Sequence, residues 1–316
     1  MILGTLYRLF ITHGLSNMKF AICNELFETW NTDKGFDFPR VFEYVTKCGY
    51  TGIEIAPFTL GEYVFRISAA RRMEIRRWAE QNGLEISGLH WLLAKTEGYY
   101  LTSPDSMVRQ RTADYFLDLI RLCADLGGHF VVLGSPLQRN LLPDVTKNQA
   151  FDYATDVLQR LVPMLDKCNV QIALEPLAPT ETNFMTTADE GVRLIKKIGV
   201  PSRIALHLDC KAMESEKFSI PELIRANKEY LIYFHMNDPN LQGPGFGALN
   251  FVPIMDALLD IGYAGWASVE VFDYTPGIEA LTEKSLAYAK KCLESAANDH
   301  FTPNGTHFSR GVPAKN

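Results

Sequence analysis

Eight short apolar runs, each followed by a longer stretch of helical periodicity, constrain this chain more than any other feature. The runs are MKFAIC, TGIEIAP, LEISGLHW, HFVVLGS, VQIALEP, RIALHLD, LIYFHMN and WASVEVF. Between Asp105 and Leu126, for example, Tyr115, Phe116, Leu119, Ile120, Leu122 and Cys123 recur near helical spacing. Glycine punctuates the expected helix ends in KCGY, QNGL, DLGG, KIGV and DIGY. Repeated strand–helix units imply a parallel sheet. Eight of them predict a closed α/β barrel of the (β/α)8, or TIM-barrel, class. No linker-like stretch divides the chain of 316 residues, so one barrel domain is expected over residues 18–296.

The ends read differently. Residues 1–17 are apolar and slightly basic, but Arg8 interrupts the apolar run and no small-residue cleavage site follows. They read as an N-terminal extension ahead of Met18 rather than a signal peptide. Residues 297–316 are polar, with Pro and Gly, and read as a disordered tail; His13, His300 and His307 belong to these ends. Apolar residues make up 47% of the chain, enough for a core. The formal net charge is −6 and no Lys/Arg block occurs, which excludes the basic footprint of a nucleic-acid binder. No apolar run approaches the ~18–20 residues that span a bilayer. The six cysteines are scattered and none forms a C-x-x-C pair, which fits buried thiols in a reducing, cytoplasmic setting.

Residue alternation gives the barrel an inside. One parity of each strand faces the lumen and the other packs under helices. In the last four strands the outer set is Ile172 and Leu174; Ile204, Leu206 and Leu208; Ile232, Phe234 and Met236; and Ala267, Val269 and Val271. The opposite parity carries Glu175, Asp209, His235 and Glu270, each near a C-terminal strand end, the face on which barrels of this class build their sites. One inward acid at a strand end is commonly a cap or an ion-pair partner. Four metal-capable residues in register on consecutive strands point to a shared divalent ion, because three converging carboxylates otherwise repel and lose solvation. One imidazole with three carboxylates is a hard, oxygen-rich set, suited to Mn²⁺ foremost and also to Mg²⁺ or Co²⁺.

At these residues the chain resembles a known family. IALEPLAPTETNFMTTADEG, LHLD, FHMNDPN-x-x-GPGFG and SVEVF are similar to the sugar isomerase/epimerase branch of the xylose-isomerase-like barrels, which includes the tagatose/psicose 3-epimerase and hydroxypyruvate isomerase groups. The resemblance runs over most of 18–294. It implies that Glu175, Asp209, His235 and Glu270 bind one divalent metal, and that Glu181 matches a further family glutamate six residues after the first ligand. It implies an isomerase or epimerase of a sugar or keto-polyol. A proton next to a carbonyl would be removed and returned by Glu175 and Glu270 through an enediolate. A lyase or dehydratase acting on a keto-sugar, keto-inositol or 3-keto-glycoside would share that first step. A more distant likeness, to endonuclease IV-type repair enzymes through His235-Met236-Asn237-Asp238, lacks further metal ligands at Ala212 and Asn240.

Two positions depart from the 3-epimerase pattern: Ala212 stands where those enzymes place a histidine, and Leu241 where they place an arginine. Free ketohexoses are therefore not the expected substrate, and a pocket near Leu241 is expected to accept an apolar or larger substituent beside Trp91 and the GPGFG loop. The partner is a small carbohydrate, and a homo-oligomer is compatible with the sequence. Lys211, Glu181, His90, Trp91 and Glu54 are candidate substrate contacts; His90 and Trp91 would form a wall against the sugar ring. His207, one layer deeper, reads as a satisfied core histidine. Asp238 and Asn240 read as turn formers, and the glycines of GPGFG as a weaker candidate for seating a phosphate.

Overall fold

A computed structural model describes residues 17–33 and 35–300. The eight apolar runs form eight parallel strands: β1 (Lys19–Cys23), β2 (Gly52–Ile55), β3 (Glu85–Leu89), β4 (Phe130–Leu133), β5 (Gln171–Leu174), β6 (Ile204–Asp209), β7 (Leu231–Met236) and β8 (Trp266–Val269). Each pairs with its sequence neighbours, and β1 pairs with both β2 and β8, which closes the barrel. Register slips once between β2 and β3, at Ile53/Glu54, and once between β6 and β7, at Leu206/His207. A two-residue antiparallel pairing, Asn31–Thr32 with Gly35–Phe36, lies outside the barrel.

The helices between strands are α1 (Phe38–Lys47), α2 (Ala69–Gln81), α3 (Ser106–Leu126), α4 (Lys147–Gln159), α5 (Val162–Cys168), α6 (Ala188–Ile198), α7 (Cys210–Met213), α8 (Ile220–Ala226), α9 (Val252–Asp260) and α10 (Ile278–His300). Their starts follow local chemistry. Asp37, Ser68, Asp105 and Thr187 accept backbone N–H bonds as N-caps, and Thr146 with Gln149 closes a capping box. The punctuating glycines behave as expected; Gly127 and Gly199 end α3 and α6 at φ 88° and 85°. Helix α10 continues to His300, so residues 297–300 extend a helix where the sequence suggested the start of a tail. The expected extension, Asn17 apart, and residues 301–316 lie outside the described residues, as do His13 and His307.

Two apolar layers result. Outward strand residues, among them Ile172, Leu174, Leu206, Phe234 and Val269, join the helices in one continuous core. Each fully buried Leu, Ile or Phe there contributes roughly 1.5–3 kcal/mol. A smaller cluster of Ala21, Val132, Ala173, Tyr233 and Trp266 plugs the N-terminal end of the lumen. Gly52 makes room for that plug, since a Cβ on it would overlap the Trp266 ring. The plug ends at Tyr233, whose hydroxyl donates to Glu54 Oε2 at 3.0 Å and meets Ser87 Oγ at 2.8 Å. Above it the lumen turns polar. Among the described residues no helix is long and apolar enough to cross a membrane, and all six cysteines are unpaired.

Candidate metal centre and active site

Glu175 and Glu270 each follow the last residue of their strand, Asp209 ends β6, and His235 is the penultimate residue of β7. One ligand atom from each of the four lies within 4.8 Å of the others, and all four side chains are buried. Local backbone chemistry aims them. Asp209 Oδ1 caps α7 by accepting the Ala212 N–H at 2.7 Å, and its Oδ2 accepts from Asn237 Nδ2 at 2.5 Å. Asn237 Oδ1 in turn accepts the Lys211 N–H at 2.8 Å. Glu175 has space because residue 134 is glycine; a Cβ there would overlap Glu175 Oε2 and stand 2.8 Å from its Cδ. Trp91, held at φ 53°, donates its indole N–H to Glu270 Oε1 at 3.0 Å.

His235 is fixed from both sides. Its Nε2 meets Glu54 Oε2 at 2.9 Å and its Nδ1 meets Glu270 Oε2 at 3.2 Å. A carboxylate behind one ring nitrogen sets the tautomer and turns the other toward the site, as partners of metal-bound imidazoles do. The charge balance also fits a cation. Burial, then the charge of Glu270, pushes the Glu175 carboxyl well above its ordinary range. Burial raises Asp209 to about 6, against the pull of Lys211. Burial likewise opposes the charge on Glu270, but His235 prevails and lowers it. Three carboxyls, two of which resist ionisation, around one imidazole form a donor set that a hard divalent ion completes.

Two of the four, Glu175 and Glu270, line a cavity of about 310 Å³. Of the candidate contacts, His90, Trp91, Glu181 and Lys211 line it beside Glu175 and Glu270. Lys211 Nζ pairs with Glu181 Oε2 at 2.7 Å and stands 4.9 Å from the Phe272 ring centre. Trp91 faces Phe272, with ring centres 6.2 Å apart. Together with Pro136, Leu137 and Leu177 these rings make much of the wall apolar.

Other expectations change. Glu54 does not line the cavity. It is fully buried, bound to the His235 ring and to Tyr233, so it supports that histidine and does not face the cavity. Leu241 does not line it either; its side chain is half exposed and its φ is 71°. Its carbonyl accepts the N–H groups of Phe272 at 2.8 Å and Asp273 at 2.9 Å, and so holds an apolar wall residue in place. The GPGFG loop also stays outside: Gly243 and Gly245 pack on Ser285 and Tyr288 of α10. His207 is buried, as expected for a core residue, but neither ring nitrogen has a hydrogen-bond partner; burial, then His235 and His90, keeps it neutral. Asp238 does form a turn, accepting from the Asn240 and Leu249 N–H groups.

Three contributors carried no pattern in the sequence. Arg139, fully buried in the loop after β4, donates from Nη1 to the Glu175 carbonyl at 2.7 Å. Glu25, just past β1, meets His90 Nε2 at 2.7 Å. Gly134 shapes the seat of Glu175. A charged residue in a loop is ordinarily solvated, so nothing in the order of residues marks Arg139 as buried.

A family model described as xylose isomerase-like TIM barrel matches residues 42–292. The chain is 27% identical over 287 residues to a D-psicose 3-epimerase of Agrobacterium fabrum, covering 90% of this chain and 96% of that protein. It is 28% identical over 245 residues to a D-psicose 3-epimerase of Ruminiclostridium cellulolyticum, covering 77% and 81%. A solved structure of a D-psicose 3-epimerase in the presence of D-fructose superimposes with a TM-score of 0.77 at 24% identity, covering 87% of this chain and 99% of that one.

Proposed function

The chain belongs to the xylose isomerase-like TIM barrel family, its relatives are named epimerases, and from that premise we propose a metal-dependent epimerase or isomerase of a sugar or keto-polyol that moves a proton beside a carbonyl. The observation that carries this reading is the pair Glu175 and Glu270, both buried, both lining one cavity and both within one metal-capable group. Glu175, Asp209, His235 and Glu270 would hold the ion, and Mn²⁺ suits their oxygen-rich set. A divalent ion there supplies Lewis-acid stabilisation of the oxygen charge that develops as the proton leaves, worth several kcal/mol.

The chain's own groups do the rest. One of the two glutamates takes the proton from the carbon next to the carbonyl, and the other returns one to the same or the neighbouring carbon. Trp91 holds Glu270 through its indole N–H and, with Phe272, offers flat apolar faces to the carbon side of the substrate. The Lys211–Glu181 pair presents a cation and a carboxylate at hydrogen-bonding distance for hydroxyl groups. Pro136, Leu137, Leu177 and Phe272 give the cavity more apolar wall than a small free ketohexose can use. The preferred substrate is therefore a keto-sugar or keto-polyol bearing a larger substituent, such as a keto-glycoside. Unpaired cysteines favour a cytoplasmic location.

The test is a panel of fructose, tagatose and psicose against keto-glycosides, keto-inositols and phosphorylated sugars, with products followed by NMR in D₂O. Glu175→Gln and Glu270→Gln should each abolish turnover and leave the fold intact. A free ketohexose turned over best, above roughly 10⁴ M⁻¹s⁻¹, would refute the substrate reading. Loss of a β-substituent in the product would move the protein to the lyases, and near-normal rates in either Gln variant would remove the two-glutamate mechanism.

A further inference from the structure

Beside the four residues of the proposed centre lies a second buried group, three of whose members the chemistry above does not use. One donor atom from each of Cys23, Glu25, His90 and Glu270 lies within 4.8 Å of the other three, and all four side chains are buried. The strands explain the convergence: Cys23 ends β1, Glu25 follows it by two residues, His90 follows β3 and Glu270 follows β8. Strands β1 and β8 are hydrogen-bonded neighbours, so Glu270 stands between this group and the first and belongs to both.

The group is incompletely satisfied. Glu25 Oε1 and His90 Nδ1 are buried and have no hydrogen-bond partner. His90 Nδ1 faces Glu54 Oε1 at 3.8 Å, beyond hydrogen-bond range, and that oxygen is also unpartnered. Native proteins rarely leave buried polar atoms so, and a bound ion is one of the explanations for such an exception. Around His90 stand two fully buried carboxylates, Glu25 and Glu54, with Cys23 Sγ 3.5 Å from Glu54 Oε2. Glu54 Oε2 already meets His235 Nε2 at 2.9 Å, whereas Glu25 meets His90 and keeps its other oxygen unpartnered. A divalent cation bound between Glu25 and His90 would give their unpartnered atoms a partner.

We propose that Cys23, Glu25, His90 and Glu270 form a second divalent-cation site, adjacent to the first and sharing Glu270 with it. Its donors differ in kind from those of the first site. A thiol and an imidazole with two carboxylates make a borderline-soft set, which selects Zn²⁺ or a similarly thiophilic ion. Burial pushes the Cys23 thiol up to about 12, so without a cation it stays protonated; coordination releases that proton. Two of its members, His90 and Glu270, also line the cavity, so an ion there would brace Glu270.

Co²⁺ reports on this directly, because a cobalt–thiolate bond gives a near-ultraviolet charge-transfer band that oxygen and nitrogen ligands do not. Metal-depleted full-length protein is titrated with Co²⁺, following bound metal by elemental analysis and the band by absorption. The wild type should take two equivalents and develop the band. Cys23→Ser, nearly isosteric, should take one equivalent without it. Asp209→Asn should also take one equivalent and keep the band. A wild type that saturates at one equivalent with no band overturns the second site and leaves the first standing. A band that survives Cys23→Ser also overturns it, by assigning the thiolate to another cysteine such as Cys210. If instead Asp209→Asn still takes two equivalents, the metal centre of the proposed function fails and the second site stands.

Discussion

Substituting Gly134 with alanine tests the reading of Glu175 at a position that is not itself a candidate for chemistry. Gly134 is not among the left-handed glycines, so alanine introduces no backbone strain there. The whole effect comes from the added methyl group, which would lie 2.8 Å from Glu175 Cδ and overlap its Oε2. Carbon atoms pack comfortably at about 3.5–4.0 Å, so the carboxylate must retreat by about 1 Å. A displacement of that size costs about 10²-fold in rate when the moved group acts on the substrate, or about 2.7 kcal/mol of transition-state stabilisation. The measurements are kcat/KM on the best substrate of the panel, Mn²⁺ affinity by calorimetry and the far-ultraviolet circular dichroism spectrum. Expected are a rate about 100-fold lower, a weaker metal constant and an unchanged spectrum. Pairing the change with Glu175→Asp, which shortens the side chain by one methylene, should lose less than the two separate changes combined, because both act through one contact. A Gly134→Ala enzyme with near-normal rate and metal affinity would refute the placement of Glu175 in the reacting site.

Further outcomes follow from other contacts. Glu54→Gln, which replaces the carboxylate behind His235 Nε2 by a neutral amide, should weaken metal binding about 10–100-fold while its effect on KM stays small; an unchanged metal constant would show that Glu54 does not position the ring. Trp91→Phe keeps the apolar face but removes the donor to Glu270, so it should lower kcat more than it raises KM, measured by steady-state kinetics. In metal-free protein the raised pKa values of Asp209, to about 6, and of Glu175 mean that the native state holds more protons than the unfolded chain above the ordinary carboxylate range. Stability should therefore fall as pH rises from 5 to 7.5. His235 and His90, also raised, act in the same direction; His207, lowered, opposes them as a single group, and the lowered Glu54 and Glu270 act only below that window. Added Mn²⁺ replaces those protons, so the rise in Tm on metal addition should grow with pH; melts at pH 5 and 7.5 with and without Mn²⁺ check both signs, and a metal-free protein more stable at pH 7.5 would contradict them.

The barrel could be read from the chain because each strand carries its own evidence. Ile204, Leu206 and Leu208 alternate with His207 and Asp209, and side-chain period alone decides which set faces the lumen. The same rule brings Glu175, Asp209, His235 and Glu270 together, since four inward residues at one end of a closed sheet have nowhere else to go. Depth is harder to read. Glu54 shares the inward parity of the site residues, yet the slip between β2 and β3 at Ile53/Glu54 and the bonds to Tyr233 and His235 place it a layer below the cavity. Loops obey no period. Leu241 occupies a position where a side chain was expected to matter, and what matters is its carbonyl. Arg139 is buried where its guanidinium reaches the Glu175 carbonyl, which is distant in sequence.

The bonds made by Leu241 have a consequence for how such a pocket can be retuned. Phe272 and Asp273 both hang from one carbonyl oxygen in the loop after β7, and Gln242 Nε2 adds a 2.7 Å bond to Asp273 Oδ2. The turn that presents this oxygen is itself closed by the Asp238 N–H bonding to the Gln242 carbonyl. The two loops are therefore laced into one unit, and the aromatic wall of the cavity takes its position from residues outside the cavity lining. A lineage of such proteins could drift in preference by substitutions at 238–242 alone, with every residue in contact with the bound molecule unchanged. Searches for specificity determinants confined to the pocket lining would then pass over the positions that set it.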